Sequence, residues 1–359
     1  MTTLADYRSN RIVELMDEPS EHHDAEWLKE ALQQAIMLEL ATLPPYLCGL
    51  WSIKNPDPDE PVSRAIREIV FDEMSHLGLA CNLLTTIGGV PRLADAAIVP
   101  KYPGPLPGGV RPELTVSLSG LTKQSLDMYS RIEEPDHPVT LSAARTHTSI
   151  GAFYTAILDA FRKHKGLITG ARQLVMDMKD HGAGNSIYAL NSFADVKSAI
   201  EVIKEQGEGT SASPENPHPG ELGELAHFYV FRELFHERKL KRNPDYPDRW
   251  EFTGDVIPMP QVLPMGTVPP GGWAAGSASE PDPDTKARLA TFNRNYSELL
   301  RLLERAWKSA VAAEAAELLM DAVGQMFTLK GPAWKLMAKP LPDGSGKRYG
   351  PEFLYTTAP

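Results

Sequence analysis

The first ninety residues hold two segments in which apolar residues recur at helical spacing. In the first segment the pattern begins after Asp24, and its members follow at intervals of three or four residues: Leu28, Leu32, Ala35, Glu39 and Leu43. That spacing places them on one face of a helix. Pro44 and Pro45 are expected to end or kink this helix, because proline lacks a backbone N–H. The second segment predicts a helix from Val62 to Thr86, which is stopped by the two glycines that follow.

The remaining pattern predicts five further helices joined by long loops. Their approximate ranges are 141–163, 194–206, 222–239, 289–303 and 313–326. The segments 88–138 and 243–283 are rich in proline and glycine, and we expect them to cover the end of the bundle and form a substrate pocket. Only residues 113–118 suggest a strand, and residues 331–359 are expected to be irregular. The pattern is typical of an all-α protein, a helical bundle with one long crossover and extra C-terminal helices.

Length and composition fit a large globular protein. The 359 residues allow two domains or one large elaborated domain, at about 150 residues per domain. We expect residues 1–240 to form the bundle and residues 241–359 to pack on it within one structural unit. Hydrophobic residues make up 42% of the chain and charged residues 23%, which excludes an intrinsically disordered protein.

Charge and cysteine content exclude several other classes. The formal net charge of −11, without a basic stripe, argues against a nucleic-acid partner. No segment approaches the run of about 20 apolar residues that a membrane span needs, and the N-terminus lacks a signal-peptide core. The 2 cysteines are too few for a disulfide framework. We therefore expect a cytoplasmic protein that does not bind membranes.

Carboxylates on apolar helix faces are the strongest chemical signal. Glu39 lies on the first stripe, where an unpaired buried carboxylate would be costly. A place at the edge of the stripe, or a pairing with arginine, would also satisfy it. On the second helix, Glu73 and His76 are three residues apart and project from one face. Glu-x-x-His after a helix that carries an inward Glu is the ligand pattern of di-metal carboxylate bundles.

The second half of the chain offers less regular candidates. Glu224 and His227 repeat the Glu-x-x-His spacing, and Glu233 and His236 repeat it again. Only one of these pairs can point at the centre of the bundle, and His236 lies in a polar run that favours solvent. Glu208 lies between two glycines after a helix, either as a metal ligand or as an ordinary polar helix end.

Several segments together resemble a known family. They are Leu-Glu-Leu-Ala-Thr-Leu-Pro-Pro-Tyr at 38–46, Asp-Glu-Met-Ser-His-Leu at 72–77, Ile-Gly-Gly-Val-Pro-Arg-Leu at 87–93, Ile-Gly-Ala-Phe-Tyr at 150–154, Gln-Gly-Glu-Gly-Thr at 206–210, His-Phe-Tyr-Val-Phe at 227–231 and Phe-Asn-Arg-Asn-Tyr-Ser-Glu-Leu-Leu at 292–300. On these segments the chain resembles the ferritin-like proteins related to the iminophenyl-pyruvate dimer synthases of violacein- and rebeccamycin-type pathways. The resemblance implies a stand-alone member: an all-α, ferritin-like four-helix bundle with a long crossover, additional C-terminal helices and long Pro/Gly-rich loops.

The resemblance also implies a metal site of four carboxylates and two histidines. Carried over by position, the metal ligands are Glu39, Glu73, His76, Glu208 and His227. The remaining carboxylate belongs to the third helix, where the family motif is Ile-Gly-Glu-Phe-Tyr and this chain has Ala152. That replacement leaves open whether one or two ions bind, and whether the metal is iron or another divalent ion.

The implied function is that of a non-haem, iron-type oxidase or oxygenase. It would use O2 to oxidise a small amine- or imine-type molecule in bacterial secondary metabolism. Two alternatives stay open: carbon–carbon coupling of two imino acids, as in the dimer synthases, and a non-catalytic bundle that stores metal or binds a partner. Ala152 favours the inert bundle, whereas Glu39 and Glu73 on apolar faces favour a metal enzyme. A small-molecule substrate and O2 are the expected partners, and a homo-oligomer is left open.

Overall fold

The structure of the chain is a computed structural model. It describes residues 7, 9–54, 60–135, 149–181, 185–208, 213–215, 224–246, 249–273 and 278–357. The helices are α1 (Arg11–Asp17), α2 (Ala25–Ser52), α3 (Pro61–Thr86), α4 (Lys123–Ile132), α5 (Ile150–Lys163), α6 (Phe193–Glu208), α7 (His227–His236), α8 (Pro283–Lys308) and α9 (Ala312–Met337). Two antiparallel ladders pair β1 (Met176–Asp177) with β2 (Ser186–Ile187) and β3 (Lys241–Arg242) with β4 (Trp250–Glu251). The predicted all-α class is confirmed.

Helix α2 begins after Asp24, where the sequence pattern places its start, but it does not end at its prolines. The Asp24 carboxylate accepts hydrogen bonds from the backbone N–H groups of Glu26 and Trp27, each at 3.0 Å. Pro44 and Pro45 lie inside the helix, which continues to Ser52. Pro45 cannot donate to the carbonyl of Ala41 four residues earlier. The hydroxyl of Tyr102 donates to that carbonyl at 2.7 Å instead, so a side chain from the crossover compensates for the missing bond.

The helices α2 and α3 form the central layer of a three-layer arrangement. On one side they are covered by α4, α5, α6 and α7, where α4 packs beside α7 and α5 beside α6. On the other side they are covered by the hairpin of α8 and α9. The Trp307 indole of α8 donates to the Asn82 side chain of α3 at 3.0 Å. Apolar residues from both 1–240 and 241–359 belong to one continuous core.

The loops and the C-terminal end differ from the sequence-based prediction. The crossover contains α4, whose first turn is fixed by a capping box between Thr122 and Ser125. Helix α9 runs through Gly331 and Pro332 to Met337, although the tail after residue 331 was expected to be irregular. The predicted segments 141–148 and 222–223 lie outside the described residues. Among the described helices, none combines the length and the apolar composition that crossing a bilayer requires.

Candidate metal centre

Helices α2 and α3 bring three of the predicted ligands together. Glu39, Glu73 and His76 are buried, and each offers a ligand atom within 4.8 Å of the other two. His76 Nδ1 lies 3.3 Å from Glu73 Oε1 and 3.8 Å from Glu39 Oε2. This arrangement follows from the spacing: residues three apart on α3 face the stripe of α2 that carries Glu39.

A second cluster shares Glu73 with the first. Glu73, Glu133 and His227 are all buried and again offer ligand atoms within 4.8 Å of one another. His227, the first residue of α7, places Nδ1 at 3.0 Å from Glu73 Oε1. Glu133 is the C-terminal cap of α4. In the described residues, five side chains therefore converge, and the Glu73 carboxylate belongs to both clusters.

Both histidines direct the same nitrogen toward the cluster. His76 Nε2 lies 2.7 Å from the Gln206 side-chain oxygen, and His227 Nε2 lies 3.4 Å from Asp72 Oδ2. An acceptor at Nε2 favours the tautomer in which Nε2 carries the proton and the lone pair of Nδ1 faces inward. Gln206 and Asp72 thus prepare the inner nitrogens of both rings to bind a cation.

A hydroxyl group also contacts each carboxylate of the cluster. Tyr154 donates to Glu39 Oε1 at 2.5 Å, and Thr42 Oγ1 lies 2.8 Å from Glu73 Oε2. The Tyr46 hydroxyl donates to Glu133. Both tyrosines are fully buried. These contacts fix one oxygen of each carboxylate and leave further lone pairs for a cation.

The cluster is electrostatically strained as long as only protons neutralise it. Burial, and then the negative charge of Glu73, raise the pKa of Glu39 to about 8 and that of Glu133 to about 7. Burial also opposes ionisation of Glu73, but the adjacent His227 and His76 rings favour the charged carboxylate, outweigh burial and lower its pKa. Burial disfavours protonation of His76, yet its hydrogen bond with Glu73 raises the pKa of the ring to about 9. The carboxylates thus compete for positive charge inside a buried site.

The donor set fits divalent metal ions. Carboxylate oxygens suit hard cations, and imidazole nitrogen suits iron, zinc and related metals. His227 Nδ1 is buried and, although close to Glu73, has no neighbour in hydrogen-bond geometry among the described residues. A metal ion would use that lone pair and would neutralise the three carboxylates. The five side chains could therefore hold a divalent metal ion.

The family assignment agrees with this site. The sequence profile of the ferritin-like family matches residues 32–236, more than half of the chain. The chain belongs to the ferritin-like family. A solved structure of a ferritin-like protein from Caulobacter vibrioides is similar to this ferritin-like chain, with a TM-score of 0.55 and 23% identity over 90% of this chain and 97% of that one. At this identity the likeness shows the fold alone. No curated protein sequence matches the chain.

A small cavity in the ferritin-like bundle adjoins the cluster. Its volume is about 20 Å³, and one water needs about 10–15 Å³. Leu38, Leu106, Ile150 and Ile203 form its apolar walls beside the acidic ligands, and Lys204 adds a positive charge. The crossover thus contributes to the cavity, but none of the described residues of 243–283 lines it. That segment instead runs along the C-terminal end of α2, where Leu263 N donates to Ser52 O at 2.7 Å.

The other predicted residues have different positions. Helix α6 ends at Glu208, whose side chain lies outside the described part of the structure, while the preceding Gly207 lines the cavity. Glu208 as a ligand stays a prediction. Ala152 is half-buried and is not among the cavity-lining residues. Glu233 is buried but binds Lys239 at 2.7 Å, and His236 is exposed as expected.

Glu133 is a candidate ligand that the sequence analysis does not predict. It follows Leu126 and Tyr129 at intervals of three and four residues, which is the same signal of a carboxylate on an apolar face that identified Glu39. The many prolines and glycines of the segment 88–138 indicate a loop and mask this signal. The short helix α4 is what carries Glu133 to the cluster.

Proposed function

We propose that the chain is a di-metal, iron-type oxidase or oxygenase that uses O2 to oxidise a small amine- or imine-type molecule. The observation that carries the proposal is the shared carboxylate: Glu73 belongs to two buried ligand groups and would hold two ions side by side. The ferritin-like family supports it, because bundles of this kind hold di-iron and di-manganese sites.

The candidate ligands would form two metal-binding sets. Glu39 and His76 would hold one ion, Glu133 and His227 the other, and Glu73 both. Iron bound there would supply one-electron redox chemistry toward O2. Tyr154 and Tyr46 hold the terminal carboxylates through hydrogen bonds. The apolar walls around the cavity exclude bulk water from the reacting groups.

Lys204 favours a substrate with a carboxylate, such as an imino acid. It lines the cavity beside the acidic ligands, and its ammonium lies 3.1 Å from Thr155 Oγ1. The contact with Thr155 is exposed, so a carboxylate that pairs with this ammonium would lie outside the small cavity, with the neighbouring imine directed toward the metal ligands. This is also the substrate class of the iminophenyl-pyruvate dimer synthases, so coupling of two imino acids is the more specific form of the proposal.

One observation favours a second function, metal binding without substrate oxidation. A volume of about 20 Å³ accommodates water or O2 but no imino acid. An O2-dependent oxidation of stored metal would need no larger space. The two functions differ in whether O2 consumption depends on an organic substrate.

The test begins with removal of all metal and anaerobic reloading with Fe(II). We expect two ions per chain by elemental analysis. After O2 is admitted, continuous O2 consumption in the presence of a candidate amine or imino acid, with an oxidised or coupled product by mass spectrometry, supports the enzyme. A single burst of O2 consumption that no organic compound prolongs supports metal storage. Absence of bound metal after reloading contradicts both functions.

A further inference from the structure

The outer face of α9 carries a regular row of large exposed side chains. Met320, Phe327 and Trp334 follow one another at intervals of seven residues and are 54%, 57% and 39% exposed. The opposite face of the helix is buried against α8 and α2, through residues such as Leu319 and Leu329. Soluble monomers seldom expose large apolar side chains in a continuous row. The row is therefore expected to be covered by a binding partner.

Small residues alternate with the large ones along the same row. Gly324 and Gly331 are also seven residues apart and lie between them, so the spacing along the row alternates between four and three. A Cβ atom added at either glycine would have no neighbour within 4 Å among the described residues. Alternating four- and three-residue spacing is the pattern with which one helix packs along another. Large side chains of a second helix could therefore pack over the two glycines.

Charges along α9 are divided between its two halves. The first half carries Glu317 and Asp321, and the second half carries Lys330 and Lys335. Within the described residues, Glu317, Asp321 and Lys335 take part in no ion pair of this chain. Lys330 lies 4.5 Å from the centre of the Trp334 ring. A second helix that carries the same charges in the opposite direction would complement each half.

We propose that this face of α9 binds a second copy of the chain, with the two α9 helices antiparallel across a two-fold axis. Sequence arithmetic fixes the register: Met320 faces Gly331 of the partner subunit, and Phe327 faces Gly324 of the partner subunit. In the same register Lys335 lies within one residue of the level of Glu317 of the partner subunit. Pro332 is not on the row, and the helix continues past it to Met337.

A parallel pair would be far less favourable. It would place Phe327 against Phe327 of the partner subunit, and Glu317 against Glu317 of the partner subunit. Like charges at facing positions repel, and large side chains would meet without a slot to enter. The antiparallel arrangement alone satisfies both the size pattern and the charge pattern. It lies on the side of the α2–α3 layer away from the metal ligands, so dimerisation does not depend on the proposed function.

The test is the oligomeric state of the full-length chain by sedimentation and light scattering over a wide concentration range. We expect a dimer that dissociates on dilution. Phe327→Asp should raise the dissociation constant at least about tenfold, as for a central interface residue. Val256→Asp is the matched control, because Val256 is 61% exposed on another surface. A monomer at every concentration, or a dimer that Phe327→Asp leaves unchanged, would overturn the proposal.

A charge exchange tests the antiparallel register. Glu317→Lys and Lys335→Glu should each weaken the dimer, and the double variant should restore it, because each new charge again meets its opposite in the partner subunit. In a parallel pair each residue would face its own copy. A single exchange would then replace one pair of like charges with another, and the repulsion would stay the same. Single exchanges without effect, or a double variant as weak as the singles, would therefore reject the register. Bound metal per chain should stay the same in all three variants, which shows that each is folded.

Discussion

The two sides of the α2–α3 layer differ completely in chemistry although they are built from adjacent residues. Glu39 and Glu73 face a cavity of about 20 Å³ surrounded by ligand side chains. Leu40 and Met74, the next residues on each helix, face a cavity of about 110 Å³ toward α8 and α9. The lining of the second cavity is almost entirely apolar, with Trp307 and Leu300 among its walls. One residue along a helix turns the side chain by about 100°, which is enough to change layers.

The difference shows that the covering layer decides what a central helix can bury. On the metal side, Gln206, Tyr154 and Tyr46 supply hydrogen bonds to the ligands. On the other side the described lining of the cavity is apolar apart from Tyr296, so a carboxylate there would lack most of its hydrogen-bond partners, and an unpaired buried carboxylate costs several kcal/mol. Residues on both faces of the central helices are buried, so the side chains of the covering helices determine which face can hold charged groups.

Loss of the shared carboxylate should have the largest effect on the metal side. Glu73→Gln keeps the size of the side chain but removes the charge that both ligand groups use. We expect the bound metal to fall from two ions per chain to nearly none, measured by elemental analysis after loading with Fe(II). Met74→Leu is the control on the opposite face and should leave the metal content unchanged. One ion retained by Glu73→Gln would show that Glu73 does not bridge.

A change on the apolar side should affect stability and leave the metal content unchanged. Leu300 is 1% exposed and lines the large cavity. Leu300→Ala enlarges a void that is already present, which should lower the free energy of unfolding by about 2–5 kcal/mol in urea denaturation. Arg305→Ala, at an exposed position of α8, should change it by less than about 0.5 kcal/mol. A loss below about 1 kcal/mol for Leu300→Ala would mean that α8 is loosely packed on the central layer.

A smaller effect is expected from the outer contacts of the ligands. Gln206 is 3% exposed and accepts the Nε2 proton of His76. Gln206→Ala would leave that proton unpaired and the ring free to turn, so metal affinity should fall about 10–100-fold. Competition with a chelator measures the affinity. Gln206→Glu keeps an acceptor and should restore most of the affinity. Equal affinity of Gln206→Ala and the parent would exclude a positioning role.

The sequence was sufficient to predict helices and candidate ligands where the hydrophobic pattern was periodic and local. The stripes of α2 and α3 predicted both helices and brought attention to Glu39, Glu73 and His76, because helical spacing alone determines which residues share a face. It was insufficient at Pro45, where the hydroxyl of Tyr102, from a distant segment, donates to the carbonyl that the proline leaves free. No local pattern can show such a contact.

Glu133 could not be predicted for the same reason, because its position depends on contacts between distant segments. Glu133 comes from a helix of ten residues inside a long irregular segment, and short helices are stabilised mainly by tertiary packing. The family resemblance pointed instead to position 152. Which segment supplies a carboxylate depends on how the crossover packs on the bundle, and the sequence pattern does not contain that information.

The smallest predicted effect concerns Ala152, the position to which the resemblance in the sequence assigned a carboxylate. Ala152 lies in the first turn of α5, and its backbone N–H donates to the cap residue Ser149 at 2.9 Å. The side chain does not line the cavity, whereas Ile150 and Gly151 do. Ala152→Glu should therefore act through the helix terminus: a negative charge in the first turn should stabilise the protein by about 0.3–1 kcal/mol, less a few tenths for helix propensity.

The readouts for Ala152→Glu are urea denaturation and metal per chain. We expect a small gain in stability and an unchanged metal content, because Glu133 already supplies a carboxylate to the cluster. Ala152→Gln separates charge from size and should give little or no gain. If Ala152→Glu raises the bound metal and Ala152→Gln does not, position 152 does reach the site. The loaded cluster would then have room for a fourth carboxylate, and the arrangement of ligands around Glu73 would have to be revised.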